Sequence, residues 1–341
     1  MKRVLLIAGG GTLGTYTAEE LLKLGHKVDI ICLEDHVSDN ENLTYYKEYA
    51  TIEFLTELFK KNRYDGIVNF LLYRDDTQYP PFHELLSRNT DHLIFLSSYR
   101  VYADLQHPVT EDAPLLIDVE KDPVVQANED YALAKVRSER YMKECDCPQN
   151  WTVVRPVISF SGRRFDVVMA SKTEVVDAVK EGRKVKVSIE SKNLTAGLDW
   201  AGNSGKMIAH LLFKKEAIGE AFTISSAQNL TWGEIADIYT EVLGTEFEWT
   251  TIDFSGEPLK TQFRWKYDRL YDRKIDNSKV LRPGFSSSFT MSTRVGSPTE
   301  SSSQYFFAPS ICIFVFMSLI FSPPISFSVS SNNFKSLRTT S

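Results

Sequence analysis

The stretch that most restricts the fold is Gly9-Gly10-Gly11-Thr12-Leu13-Gly14, set between an apolar run and an amphipathic one. Residues 4–8 have the length and apolarity of a buried strand. Residues 15–24 carry Tyr16, Ala18, Leu21 and Leu22 at helical spacing, with Glu19, Glu20 and Lys23 opposite. Gly25 stops that helix, and residues 27–34 read as a second strand. In such a strand–turn–helix–strand unit, Gly9, Gly11 and Gly14 match Gly-x-Gly-x-x-Gly. Glycine permits the turn and lets backbone approach a ligand closely, while unpaired N–H groups at the helix start, Thr12 and Leu13 among them, attract an anion. The pattern points to the pyrophosphate of a dinucleotide cofactor; the alternative is a turn with a structural role only.

An acid at the end of the second strand would take the ribose hydroxyls. Counting about 20 residues on from Gly14 reaches Glu34, with Asp35 beside it. No Arg or Lys follows at once to take a 2′-phosphate, so NAD is favoured and NADP stays open. A helix over residues 52–59, a strand over 67–72, a helix near 82–88 and a strand over 93–98 continue the alternation. Strands alternating with helices give a parallel sheet covered on both faces, an α/β doubly wound Rossmann-type fold, with ligands at the carboxyl ends of the strands. Ser97 and Ser98 sit at such an end.

A helix over residues 129–143, capped by Asn128 or Asp130, carries Tyr131 and Lys135 in its first turns. Residues four apart share a helix face, and a fixed cation beside a phenol favours its anionic form. A strand over 152–155 follows. Asn203 is placed to cap a helix running to Leu212, residues 221–225 read as a strand, and Thr231-Trp232-Gly233-Glu234 is a capping box for a helix ending at Gly244.

The net charge of −6 gives no electrostatic reason to expect nucleic acid. Cys32, Cys145, Cys147 and Cys312 are too few and too irregular for a disulfide framework, which fits a reducing, cytoplasmic compartment. Cys145-Asp146-Cys147 has no second ligand pair nearby in sequence, so it reads as a loop and no metal is expected. The apolar run at the N-terminus is too short for a signal peptide. Residues 282–341 hold 17 serines and a single acid, Glu300. Within them residues 305–321 are apolar but broken by Pro309, Ser310 and Ser318, so this segment reads as a disordered tail, and any membrane contact is confined to 305–321.

With the glycine turn, Ser98 at a strand end and Tyr131/Lys135 ahead of the next strand, residues 1–281 resemble an extended short-chain dehydrogenase/reductase, and more narrowly the NAD-dependent epimerase/dehydratase family. Leu96-Ser97-Ser98-Tyr99-Arg100-Val101-Tyr102-Ala103 is similar to the family's Ser-Ser-x-x-Val-Tyr-Gly stretch, and Thr110-Glu111-Asp112-Ala113-Pro114 and Val154-Arg155-Pro156 have counterparts there. The resemblance implies a nucleotide sugar or related polyol as substrate, NAD as cofactor and a homodimer. It implies Tyr131 as acid/base, Ser98 as the hydrogen-bond partner of the substrate oxygen, and Lys135 on the nicotinamide ribose. It also implies an NAD(P)-binding domain over 1–165 with returning elements near 197–226, an interleaved substrate lobe over 166–281, and an epimerase or oxidoreductase reaction.

Departures from the family narrow that reading. Ala8 stands at the usual first glycine, Cys32 where an acid often ends the second strand, and Ala103 where glycine follows Val-Tyr. Tyr99 and Arg100 occupy the places of the 4,6-dehydratases' Asp-Glu, which disfavours dehydration. Arg163 and Arg164 read either as partners of a substrate pyrophosphate or as a solvated basic loop. The segment after 281 resembles nothing in the family and is expected to replace a normal C-terminal element. The competing functional class is a non-catalytic dinucleotide-binding sensor or partner-binding protein on the same fold.

Overall fold

In a computed structural model the described residues are 1–162 and 164–282. Arg163 and the serine-rich tail from 283 onward, with its apolar 305–321 segment, lie outside them. Seven parallel strands form the central sheet: β1 (Arg3–Ile7), β2 (Lys27–Cys32), β3 (Leu43–Lys47), β4 (Tyr64–Asn69), β5 (Thr90–Leu96), β6 (Trp151–Pro156) and a last strand, Ala221–Ile224. Their order is Ala221–Ile224, β6, β5, β4, β1, β2, β3. The chain winds outward from β1 to β3 and then returns to the other side of β1, which opens a crevice at the carboxyl ends of β1 and β4. This is a Rossmann-type doubly wound fold.

Alternation along the strands builds two cores. Leu5, Ile7, Ile67, Leu93 and Phe95 face one side, where helices α2 (Ile52–Lys61) and α3 (Tyr79–Arg88) and the helix Ala132–Glu144 cover them. Val4, Leu6, Val68, Ile94 and Val154 face the other, under α1 (Thr12–Lys23) and the helix Ala201–Leu211. A third cluster around Trp232, Tyr239 and Phe165 is built mostly by the chain after β6, joined by Tyr99, Val101, Tyr102 and Val136 from before it. It includes the parallel pair Val185–Ser188 and Phe247–Thr250 and the helices Lys172–Glu181 and Trp232–Leu243. Thr231 and Glu234 form the expected capping box, and Gly244 ends that helix in the left-handed region at φ 68°.

Four local expectations need correction. The helix α1 starts at Thr12, directly from the glycine turn, because Gly11 takes an extended N-cap conformation. The strand β3 was not expected: Leu43–Lys47 is partly exposed at the sheet edge, so its sequence lacks the buried-strand run of β1, β2, β4 and β5. Tyr131 precedes its helix, and Glu129 caps that helix, its Oε2 accepting from the N–H groups of Tyr131 (3.2 Å) and Leu133 (2.9 Å). Neither Asn128 nor Asp130 does so: Asn128 Nδ2 donates to Val124 O, and Asp130 pairs with Arg74.

Asn203 lies inside the helix Ala201–Leu211 rather than at its cap. The buried Asp199 organises that start, its Oδ1 accepting from Trp200 N–H (2.8 Å), Asn203 Nδ2 (3.0 Å) and Ser226 Oγ (2.8 Å). Burial still pushes its carboxyl above the ordinary value, against those hydrogen bonds.

The glycine turn is a packing requirement at one position and an open one at another. A Cβ at Gly14 would sit 2.2 Å from the Gly9 carbonyl oxygen, whereas one at Gly11 would meet nothing within 4 Å. Gly14→Ala is expected to destabilise the fold by about 3 kcal/mol or more, since backbone blocks the added methyl. Gly11→Ala is expected to cost less than about 1 kcal/mol, because its φ of −74° suits any residue. Urea denaturation of the two variants checks this contrast, and equal losses would contradict it.

Candidate active site

A cavity of about 530 Å³ opens at the carboxyl ends of β1, β4, β5 and β6. Its walls bring together Gly11, Thr12, Leu13 and Gly14 of the first turn, Ser98 after β5, and Tyr131. Gly11 caps α1 without a side-chain hydrogen bond, so the first N–H groups of the helix meet the cavity uncapped. A second cavity of about 220 Å³ shares Ala8 and Gly11 with the first and is also lined by Gly10, Cys32 and Glu34. The Glu34 carboxylate lies over Gly10, where an added Cβ would meet its Oε2 at 2.8 Å. Asp35, the neighbouring candidate, is taken by Lys47 at 2.5 Å.

Ser98 is buried, and its Oγ accepts from the Arg100 N–H at 3.3 Å. Ser97 beside it donates to Glu139, which also binds Arg155 Nη2 at 2.6 Å; Arg155 Nη1 in turn donates to Tyr102 Oη at 2.9 Å. This buried network ties the end of β5 to β6 and to the helix bearing Lys135. Lys135 is only 2% exposed and lies beneath the cavity. Its Nζ donates to the carbonyls of Leu71 (3.2 Å) and Leu96 (2.5 Å). Burial pulls this ammonium down to about 7, with Glu139 opposing the shift.

The cation found on the Tyr131 ring is Arg100, whose Cζ lies 4.9 Å from the ring centroid. Arg100 also pairs with Glu129 at 3.3 Å and Asp268 at 3.7 Å. The sequence marked Arg100 only as a departure at its position; its contact with Tyr131 depends on how the turn after β5 meets the residues ahead of the helix.

On the far wall Arg164, Arg264 and Arg269 converge on one carboxylate oxygen, Asp166 Oδ2, at 3.3, 3.1 and 3.3 Å. Lys260 joins them in lining the cavity. Burial, with Arg269 alongside, pulls the Arg264 guanidinium down to about 10, which leaves it charged at neutral pH. Three guanidiniums on one carboxylate, even with Asp268 also bound to Arg269, give a wall suited to an anion. Arg164 was expected from sequence and Arg163 lies outside the described residues; Arg264, Arg269 and Lys260 carried no local signal.

No protein-family model and no curated protein sequence matches the chain. Solved structures do. A dTDP-glucose 4,6-dehydratase from Bacillus anthracis in complex with NAD matches with a TM-score of 0.61 at 18% identity, covering 82% of this chain and 89% of that one. A UDP-N-acetylglucosamine 4-epimerase from Bacillus cereus gives 0.62 at 15% identity, over 95% and 99% of the two chains. A UDP-glucose 4-epimerase from Thermotoga maritima, solved with UDP-glucose, gives 0.59 at 15% identity, over 82% and 91%. These matches show a shared fold, the Rossmann-type doubly wound sheet. Among the described residues, no helix is long and apolar enough to cross a membrane.

The buried ammonium predicts a pH signature. Lys135 titrates near 7 when folded and near ~10.4 when unfolded, so its charging penalises the folded state fully below about 7, and the penalty fades as pH rises toward the unfolded value. The stability of the wild type relative to Lys135→Met should therefore fall from about pH 9 to about pH 7, by up to ~1.4 kcal/mol per unit, and level off below. A flat difference in urea denaturation across that range would contradict the assignment.

Proposed function

We propose that the chain is an NAD-dependent epimerase or oxidoreductase acting on a nucleotide sugar or related polyol, with Tyr131 as its acid/base. One observation carries the reading: a single cleft joins an uncapped helix N-terminus at a glycine turn to Ser98 and Tyr131. The residues present fit a dinucleotide. The N–H groups of Thr12, Leu13 and Gly14 would hold its pyrophosphate, Gly11 leaves room for close approach, and Glu34 would accept from ribose hydroxyls in the adjoining cavity. NAD remains favoured, with NADP open, because Glu34 rather than a cation lies over the turn.

NAD, when bound, supplies a hydride acceptor at the nicotinamide ring. The chain's own part is the proton. Tyr131 Oη would take the proton of a sugar hydroxyl as the carbon beneath it is oxidised and return it on reduction, with Ser98 Oγ hydrogen-bonded to the same oxygen. Lys135, under the cleft floor, would engage the nicotinamide ribose by releasing the Leu71 or Leu96 carbonyl. The cationic wall of Arg164, Lys260, Arg264 and Arg269 supports a substrate bearing a diphosphate. The structural neighbours include enzymes whose names specify dTDP- and UDP-sugars, which supports the same class.

Tyr99 and Arg100 offer no carboxylate for removing water, and the Asp268 carboxylate is held by Tyr99, Arg100 and Arg269, so epimerisation or simple oxidoreduction is favoured over dehydration. A non-catalytic dinucleotide sensor is the second reading. Its support is Lys135, whose ammonium is committed to two carbonyls, and Arg100, which covers the Tyr131 ring.

A panel of UDP- and dTDP-sugars with NAD separates the two. Turnover of one of them, lowered by about 10²- to 10⁴-fold in Tyr131→Phe with NAD binding kept, is the expected result. Undiminished turnover in that variant would remove Tyr131 from the mechanism. NAD binding with no hydride transfer to or from any member would leave the sensor reading.

A further inference from the structure

Far from the cleft, three soft metal donors meet. His83 on α3 is fully buried, and its Nδ1 is engaged by Tyr79 Oη at 3.1 Å. Its Nε2 has no hydrogen-bond partner. Cys145 and Cys147 follow the end of the helix Ala132–Glu144 as half-buried free thiols. A ring nitrogen of His83 and the two sulfurs all lie within 4.8 Å of one another.

The surroundings are built. Gln149 Nε2 reaches the carbonyls of Met142 (3.1 Å), Cys145 (3.5 Å) and Cys147 (3.3 Å), while its Oε1 accepts from Trp151 Nε1 at 2.8 Å. That clamp holds the cysteine turn against the end of the helix. A nitrogen left without a partner inside a protein is destabilising. No polar partner meets His83 Nε2, and the donors grouped with the His83 ring are thiols.

We propose that His83, Cys145 and Cys147 bind Zn²⁺, with a water in the fourth position on the exposed side. Zinc takes imidazole nitrogen at ~2.0–2.1 Å and thiolate at ~2.3 Å, so a tetrahedral site needs its donors about 3.5–3.8 Å apart. Small rotations of two half-buried cysteine side chains bring them there. Tyr79 Oη fixes the imidazole through the other nitrogen, as the outer partners of metal-bound histidines do. Binding turns two thiols into two thiolates and releases two protons to the buffer; nothing is oxidised. The ion would join α3 to the end of the helix whose first turn, about 15 Å away, carries Lys135. The site is independent of the proposed catalytic role, because none of its residues lines the cleft.

The sequence could not disclose it. The Cys-x-Cys pair looks isolated until the fold brings His83 beside it.

The test is titration of the reduced, metal-free full chain with Zn²⁺, and with Co²⁺ as a spectroscopic probe. The expected result is one Zn²⁺ per chain, two protons released, a thiolate-to-cobalt charge-transfer band and a raised melting temperature. Affinity should drop by about 100-fold or more in Cys145→Ser and in Cys147→Ser, whose folding circular dichroism verifies, and by about tenfold or more in Tyr79→Phe. Equal affinity in the Cys145→Ser/Cys147→Ser double variant would overturn the site, as would a cobalt spectrum without the thiolate band. A Cys145–Cys147 disulfide in protein isolated under thiol-trapping conditions would overturn it as well.

Discussion

Everything at the cleft depends on how closely the start of α1 is pressed onto the turn that precedes it. Gly14 lies so near the Gly9 carbonyl that a single methyl would overlap backbone. That contact fixes the direction in which the helix leaves β1. Because Gly11 caps the helix with no side chain, its first N–H groups stay available at the carboxyl end of the sheet. The topology then brings the other strand ends to the same place: β4 and β5 on one side of β1, β2 with Glu34 on the other.

A second constraint sits behind the first. Glu139 and Arg155 are nearly fully buried and joined by paired hydrogen bonds, with Ser97 and Tyr102 filling remaining valences. A buried ion pair adds little net stability when intact, but removing one partner strands the other charge and costs about 3–5 kcal/mol. Its role here is geometric. It locks the end of β5, and so Ser98, against the helix that bears Lys135. The wall opposite is held by Asp166 and Asp268, which gather arginines from distant parts of the chain. The cleft thus has a floor braced by the buried Glu139–Arg155 pair and an outer wall lined with arginines.

What could be read from the sequence was local. The βαβ unit, the alternating strands and the Thr231 capping box each lie within one short window, and periodicity or cap chemistry reveals them. A glycine N-cap leaves no side-chain signature, so the sequence pattern places the start of α1 three residues late. The strand β3 has no sequence signature, because an edge strand with Tyr45 and Tyr46 partly exposed lacks an apolar run. Glu129 as a cap, Arg100 on the Tyr131 ring and the arginines around Asp166 are products of tertiary placement. Spacing alone suggested a phenol–ammonium pair; instead the Tyr131 carbonyl accepts from the Lys135 N–H at 3.0 Å, and the lysine side chain turns down to the sheet. Counting from Gly14 points to Glu34, and in the structure its carboxylate lies over Gly10 while its neighbour Asp35 pairs with Lys47.

The central claim is that the glycine turn and its neighbouring acid form a dinucleotide site. Calorimetric titration of the full chain with NAD tests it most directly. The account predicts saturable binding of one NAD per chain, weakened in Glu34→Lys through loss of the ribose contact. Absence of saturable binding by either NAD or NADP to folded protein would contradict it.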